Sequence, residues 1–442
     1  MKFTKYGKAL LMSALSAGVA LGVTSCIQSY SVGFLYVTGT VTAQSSGSGI
    51  ISGYKIEHNT GKLTAINGLP ISSGGANPVR AVLTTGSRFV YVLNRGANAS
   101  GGSVCTTANP CQNSNITQFA VGGNGILTAQ QTFYTQGVNP IRMTIDTSGN
   151  YLFVLDHDAP LDVGSALTRA CVTAFATSTC GDITVFQINQ TTGRLQLVVN
   201  AQATSASGAA LPYFPVPANP IDFLLTSGNL LTLGGTSTSG DSIFPYNYSS
   251  TSGQLTISQN SSQPLNIRQA TAIVSGGGTI YVLDNEPITA NGTTSPSQIL
   301  PFTLGTNGAL QAQTGGIVPD DPTQSNPIYL IVESKGKWVY VANQGNNLNT
   351  TNAQSGIAGY VIDSSTRQLS FIAGQPFGTG SGPQCLVEDP SNQFIYTANY
   401  NDSSVTGRAI DQNAGVLRSL NTTSSYTLNG PATWCFVDGR TN

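Results

Sequence analysis

Few side chains in this 442-residue sequence can carry acid–base or nucleophilic chemistry. It holds two histidines, and Asp, Glu, Lys and Arg make up 8% of residues, against roughly 25% in ordinary soluble domains. His157 stands between two carboxylates in Asp156-His157-Asp158. Flanking acids favour the charged imidazole and orient its ring, which suits a general base; an exposed loop histidine with no catalytic task has the same sequence appearance. His58 reads as surface. Arg80 and Arg142 each fall two residues after a proline, as do Asp222, Tyr329, Cys385 and Thr433, and Arg268 lies near the corresponding point of a degenerate copy. A guanidinium offers a planar donor fork to carboxylate or phosphate, so Arg80, Arg142 and Arg268, with Asp222 and Tyr329 beside them, are candidates for holding a small anion. The alternative is that these arginines pair internally with Asp222, Asp146 or Glu333.

Other chemistries find little footing. Asp156, Asp158 and Asp162 have a spacing faintly like a calcium loop, without the glycine and closing glutamate of an EF-hand; calcium is weakly supported, and no cofactor or metal centre is expected. Gly-x-Ser-x-Gly, a phosphate-binding glycine loop and His-Glu-x-x-His are all absent. The formal net charge is -1, and no Lys/Arg cluster occurs beyond the first residues. That excludes a nucleic-acid partner.

The sequence opens with a basic stretch, Met1 to Lys8, then an apolar run from Ala9 to Val23, then Thr24-Ser25-Cys26. This is the order of a secretory signal, and the run is shorter than the roughly 20 residues of a membrane-crossing helix. Its end resembles a lipobox, which implies removal of residues 1–25, lipid attachment at Cys26, a short tether over 26–32 and a membrane partner. Ile27, rather than Asp, after the cysteine implies passage to the outer membrane or surface of a bacterial envelope. Six further cysteines, Cys105, Cys111, Cys171, Cys180, Cys385 and Cys435, form an even set, and in an exported chain that reads as three disulfides. Nearest-neighbour pairing gives 105–111, 171–180 and 385–435, one of 15 possible connectivities.

These residues are positioned by a repeat. An extended apolar strand, B, recurs seven times, as in Phe89 to Asn94, Trp338 to Asn343 and Phe394 to Asn399. An alternating strand C follows, with a central aromatic and a Gly-x-Leu turn after it, as in Phe186 with Gly193-Arg194-Leu195. After a less regular strand D, strand A opens on Asn-Pro or Gly-Pro, a position where a missing donor costs no ladder bond. Seven copies of four antiparallel strands predict an all-β, seven-bladed propeller over 33–442. Because the repeat array begins on a B strand and ends on an A strand, the N-terminal strands and the C-terminal strand should share one blade and close the ring. The long insertions 95–115, 157–182, 201–218, 285–298 and 344–355 then leave one face, beside the starts of the A strands, where sites usually sit.

Tyr91-Val92-Leu93-Asn94, Tyr340-Val341-Ala342-Asn343, Phe186-Gln187-Ile188 and Thr192-Gly193-Arg194-Leu195 together resemble the lactonase-type seven-bladed propellers, the family of bacterial 6-phosphogluconolactonase. The resemblance runs from about Gly33 to the end and implies a Pro-His pair on an A strand ahead of Asp-x-x-Gly. The matching segment here is Asn139-Pro140-Ile141-Arg142 through Asp146-Thr147-Ser148-Gly149 to Leu155-Asp156-His157, in which the aspartate and glycine match and the histidine is replaced. Two functions therefore stand side by side. Low charge and long polar loops favour a non-catalytic envelope module that binds a small anionic ligand, a glycan or a protein. The family resemblance implies a lactone hydrolase at the channel mouth, with His157 as base. A purely structural envelope role is a third option.

Overall fold

The computed structural model describes residues 30–439, apart from 42–46, 87, 101–104, 106–108, 162–168, 206–207, 237, 259–261, 291 and 346–353. Cys26, residues 1–25 and Asp162 lie outside the described residues. From Ser31 onward the chain forms one compact body. It is the expected seven-bladed propeller, built from seven antiparallel sheets, and its first strand begins at Ser31 rather than Gly33.

Numbered in chain order, blade 1 combines Ser31–Thr40 (strand B) and Ser48–Glu57 (C) with Ala432–Asp438 as its innermost strand, A. The ring is thus closed by hydrogen bonds between the two ends of the body. The A strands of blades 2 to 7 are Pro78–Leu83, Val138–Ile145, Pro220–Leu225, Ala270–Gly276, Pro327–Val332 and Pro383–Glu388. Each pairs with a B strand, and Phe89–Asn94, Thr279–Asp284, Trp338–Asn343 and Phe394–Asn399 are buried at every residue. Strands packed on both faces read as continuous apolar runs rather than alternations, and each large side chain so buried contributes about 1.5–3 kcal/mol.

Strand D departs from a simple four-strand blade. It is one strand in blade 2, Leu127–Phe133, but elsewhere two short pieces, such as Leu195–Leu197 and Phe214–Val216, pair in turn with the same C strand. Insertions also carry structure of their own. One holds the helix Arg169–Phe175, and others form the hairpins Asn200–Thr204 with Ala210–Leu211 and Ile288–Ala290 with Thr293–Ser295.

Two repeated contacts explain the repeated motifs. The strand-B tyrosine hydroxyl donates to the turn glycine of the following blade: Tyr36 to Gly125, Tyr91 to Gly193, Tyr340 to Gly415 and Tyr396 to Gly61, at 2.5 to 2.7 Å. Gly125 has φ 83°, and a Cβ there would stand 2.6 Å from the Phe34 ring, so only glycine fits. At the other end of strand B, a buried amide ties strands B, C and D together. Asn94 donates to Asn115 (2.9 Å) and to the Ser73 carbonyl (3.0 Å), and Asn399 donates to Ser404 (2.9 Å).

All three disulfides join as the nearest-neighbour reading expected. Cys385 and Cys435 lie on the A strands of blades 7 and 1, so this bond spans the ring closure.

Candidate functional site

The channel-facing residues are set by a bulge. In blade 2, Pro78 pairs with Asn94 and the next partners are Arg80 and Leu93, which leaves Val79 as an extra residue. The same slip recurs near the start of every A strand. Asn77, Asn139, Asn219, Asn326 and Gly382, each before the proline, take φ from 51° to 71°, a left-handed turn that Asn and Gly tolerate. A bulge re-aims the residue after it, and register puts Arg80, Arg142, Asp222, Ala272, Tyr329, Cys385 and Trp434 at one level around the axis. Counting two residues past the proline found five of these. It fails in blade 1, where pairing starts at Ala432 and Trp434 replaces Thr433, and in blade 5, where Ala272 takes the level assigned to Arg268. Arg268 is exposed in the turn before its strand and does not line the channel cavity.

Within this ring the arginines are differently held. Arg142 Nε donates to Asp222 Oδ1 at 3.0 Å, and Arg142 Nη1 donates to its neighbour's carbonyl. Asp222 also accepts from the Phe223 and Ile273 amides, so both its oxygens are occupied. The internal pairing thus involves Asp222. Asp146 instead accepts the Tyr151 amide and Glu333 the Lys335 and Trp338 amides, which closes the turns between strands A and B. The matched Asp-x-x-Gly is accordingly a turn-holding element in this fold. The Arg80 Cζ lies over the Trp434 ring, 3.6 Å from its centroid, with Tyr329 edge-on to Trp434 at 4.9 Å. Burial, with Arg142 adding repulsion, pushes the Arg80 pKa down to about 10.

A cavity of about 280 Å³ begins at Arg80, Arg142, Tyr329 and Trp434. It runs along the later residues of the A strands to Thr147, toward the face of tight turns. The ring therefore stands between this cavity and the insertion face.

On the insertion face, the end of strand B in blade 3 carries His157, whose Nδ1 lies 3.1 Å from Asp158 Oδ1. Asn139 donates to Asp158 Oδ2 at 2.6 Å and accepts from the Cys111 amide at 2.8 Å, which fastens the 105–111 disulfide loop to this corner. Arg95, just past strand B of blade 2, completes the corner. Its Nε is buried without a hydrogen-bond partner, and burial together with the nearby Arg142 charge lowers its pKa, while Asp158 opposes the shift. Arg95 and Trp434 were missed from sequence: Arg95 belongs to a loop rather than an A strand, and Trp434 sits off the proline count. His157 does not line the cavity with Arg80. Its partner Asp158 and the ring residue Arg142 both act electrostatically on Arg95.

Asp156 and Asp182 face each other as ladder partners where blade 2 pairs Asn94 with Asn115 and blades 6 and 7 place Asn343 and Asn399 on strand B. Thr184 donates to both at 3.4 Å. Burial raises both carboxyl pKa values well above the usual range, and Asp156 raises Asp182 further.

The profile of the family described as Lactonase, 7-bladed beta-propeller, matches residues 48–161 and 288–434, more than half of the chain. The chain belongs to the lactonase family of seven-bladed β-propellers. Within this lactonase-family chain, Arg80, Arg95, Arg142, His157, Tyr329 and Trp434 lie inside the matched residues, whereas Asp222 and Arg268 lie outside them. A 101-residue stretch is 32% identical to the 6-phosphogluconolactonase of Bacillus subtilis, covering 22% of this chain and 28% of that relative. The periplasmic gluconolactonase of Pseudomonas aeruginosa superposes with a TM-score of 0.60 at 16% identity, covering 92% of this chain and 98% of the other. A Bacteroides fragilis protein of proposed 6-phosphogluconolactonase activity superposes with a TM-score of 0.62 at 15% identity over the same shares. At these identities the superpositions speak for the fold alone.

Proposed function

We propose that the insertion-face mouth of the channel binds a small anionic sugar-acid lactone and opens it by hydrolysis. The observation that carries this reading is the corner where Arg95, its Nε buried and unpartnered, lies close to Arg142 and to the His157–Asp158 pair. Arg95 and Arg142 hold the ligand's carboxylate or phosphate and the oxyanion of the attacked carbonyl. Asp158 accepts a hydrogen bond from His157 Nδ1–H and leaves Nε2 free to take a proton from water. The resulting hydroxide adds to the lactone carbonyl. As the ring C–O bond breaks, His157 returns the proton to the departing alkoxide, and a hydroxy acid is released. Family membership and the 32% identity of a 101-residue stretch to a 6-phosphogluconolactonase support the substrate class.

The test is hydrolysis of glucono-δ-lactone and its 6-phosphate by purified protein. Turnover above the spontaneous rate should fall about 100-fold or more in His157→Ala, and KM should rise about tenfold in Arg95→Ala. Absence of turnover on both lactones would remove the hydrolase reading. A second reading, binding of the anion without turnover, is favoured by Arg142 being already tied to Asp222. Calorimetry with gluconate and 6-phosphogluconate separates the two.

The lipid-anchored envelope location is part of this proposal, supported by residues 1–26 and by three disulfides. Metabolic labelling with a fatty acid, abolished by Cys26→Ala, is the expected result.

A further inference from the structure

We propose that the tight-turn half of the channel is a second, separate binding site, for a small monocarboxylate with an apolar or aromatic body. This site does not depend on the lactone reading, because the ring of Arg142, Asp222, Arg80 and Trp434 stands between it and the insertion face.

Arg80 is the starting observation. Its guanidinium makes no hydrogen bond or ion pair among the described residues; its contacts are the faces of Trp434 at 3.6 Å and Tyr329 at 5.7 Å. The nearest carboxylate, Asp222, has one oxygen on Arg142 Nε and the Phe223 amide, and the other on the Ile273 amide. A guanidinium stacked on an aromatic ring keeps its N–H edge directed outward in the ring plane, and here Arg80 lines the cavity while retaining part of its surface. A cation enclosed in this way, whose nearest carboxylate is shared with Arg142 and gives it no hydrogen bond, favours an anion that can supply two acceptor oxygens.

The walls select what the anion is attached to. Val82, Ile145, Leu225 and Ile273 line the space below the arginine, with the hydroxyls of Thr144, Thr147 and Ser275 among them. Three side-chain hydroxyls cannot meet every hydroxyl of a sugar acid, and each one left unmet costs roughly 1–3 kcal/mol, whereas a hydrocarbon body gains from contact with the four aliphatic side chains. The volume, about 280 Å³, exceeds the roughly 150 Å³ that accommodates benzene in an engineered apolar cavity. It therefore fits a ligand of the size of benzoate to 3-phenylpropionate, with the carboxylate on Arg80 and the body toward Thr147.

Trp434 supplies the readout, since only it and Trp338 are tryptophans. In a Trp338→Phe background, phenylacetate or 3-phenylpropionate should change Trp434 fluorescence saturably, and Arg80→Gln should raise Kd about tenfold or more. His157→Ala should leave this Kd unchanged. Circular dichroism and the urea midpoint verify that each variant is folded. Absence of binding by benzoate, phenylacetate and 3-phenylpropionate in folded protein would overturn the proposal. So would equal affinity for sulfate or for benzyl alcohol, the first showing a general anion site and the second an apolar pocket indifferent to Arg80. Parallel loss in His157→Ala would show that a single site, the lactone site, had been measured.

Discussion

At the scale of single residues, two tyrosines in equivalent places carry opposite expectations. Tyr340 donates to the Gly415 carbonyl, but Tyr281 meets a turn where Arg367, at φ 62°, stands in place of glycine, and its hydroxyl is buried without a well-formed hydrogen bond. Tyr340→Phe should therefore destabilise by about 1–2 kcal/mol, while Tyr281→Phe should fall within about 0.5 kcal/mol of wild type; paired urea titrations decide. Asp222→Ala removes the partner of Arg142 and the acceptor of two buried amides, and a loss of about 3 kcal/mol is expected from the same measurement. Asp222, Arg80, Arg142 and Tyr329 were legible in the sequence because proline and bulge keep a fixed distance in most blades. Trp434 was not, because its strand begins pairing one residue later than the proline suggests. Arg95 could have been found by asking which charge immediately follows a fully apolar B strand.

At the scale of elements, blade 3 replaces a buried amide with a carboxyl. Asn94 and Asn115 share an amide hydrogen in blade 2, and Gln298 donates one to Asp284 in blade 5, whereas Asp156 and Asp182 have none unless one carboxyl is protonated. Gly137 fits against Asp182 as Gly75 fits against Asn115, so this corner is packed as closely as that of blade 2. Both carboxyl pKa values are raised by burial, while in the unfolded chain they lie near 3.9. The folded state thus binds protons more tightly than the unfolded state. The pair's contribution is complete below the unfolded value and is lost as pH rises toward the raised one. Asp156→Asn supplies the missing hydrogen, so the urea midpoint should fall less between pH 5 and pH 8.5 than in wild type; an unchanged slope would refute the shared proton. The B strands and Gly-x-Leu turns behind this geometry were readable because burial on both faces and the left-handed turn leave few residue choices. The split D strands and the Arg169–Phe175 helix were not, since short exposed pieces carry no periodicity long enough to register.

For the whole molecule, the seven-fold count and the ring closure both followed from where the repeat begins and ends. The 385–435 disulfide is the covalent counterpart of that closure, linking neighbouring innermost strands across a separation of 50 residues. Chain-entropy reasoning gives it about 4 kcal/mol. Replacing both cysteines by serine should lower stability by up to that amount and expose strand 432–438 to proteolysis first. The cavity on the tight-turn side of the ring was not legible. It depends on how far the bulge lifts Arg80 and Trp434 into the axis, a property of three-dimensional register rather than of spacing.

The pairing of Ala432–Asp438 with Ser31–Thr40 also orders events in time. The first strand emerges with its inner edge bare and must wait for almost four hundred further residues before its partner is available. Six blades can form before that partner is available, but the cooperative unit is complete only once strand 432–438 pairs with strand 31–40. A chain cut short near residue 430 would hold an open ring with one adhesive strand edge exposed, the species a holding chaperone would have to recognise.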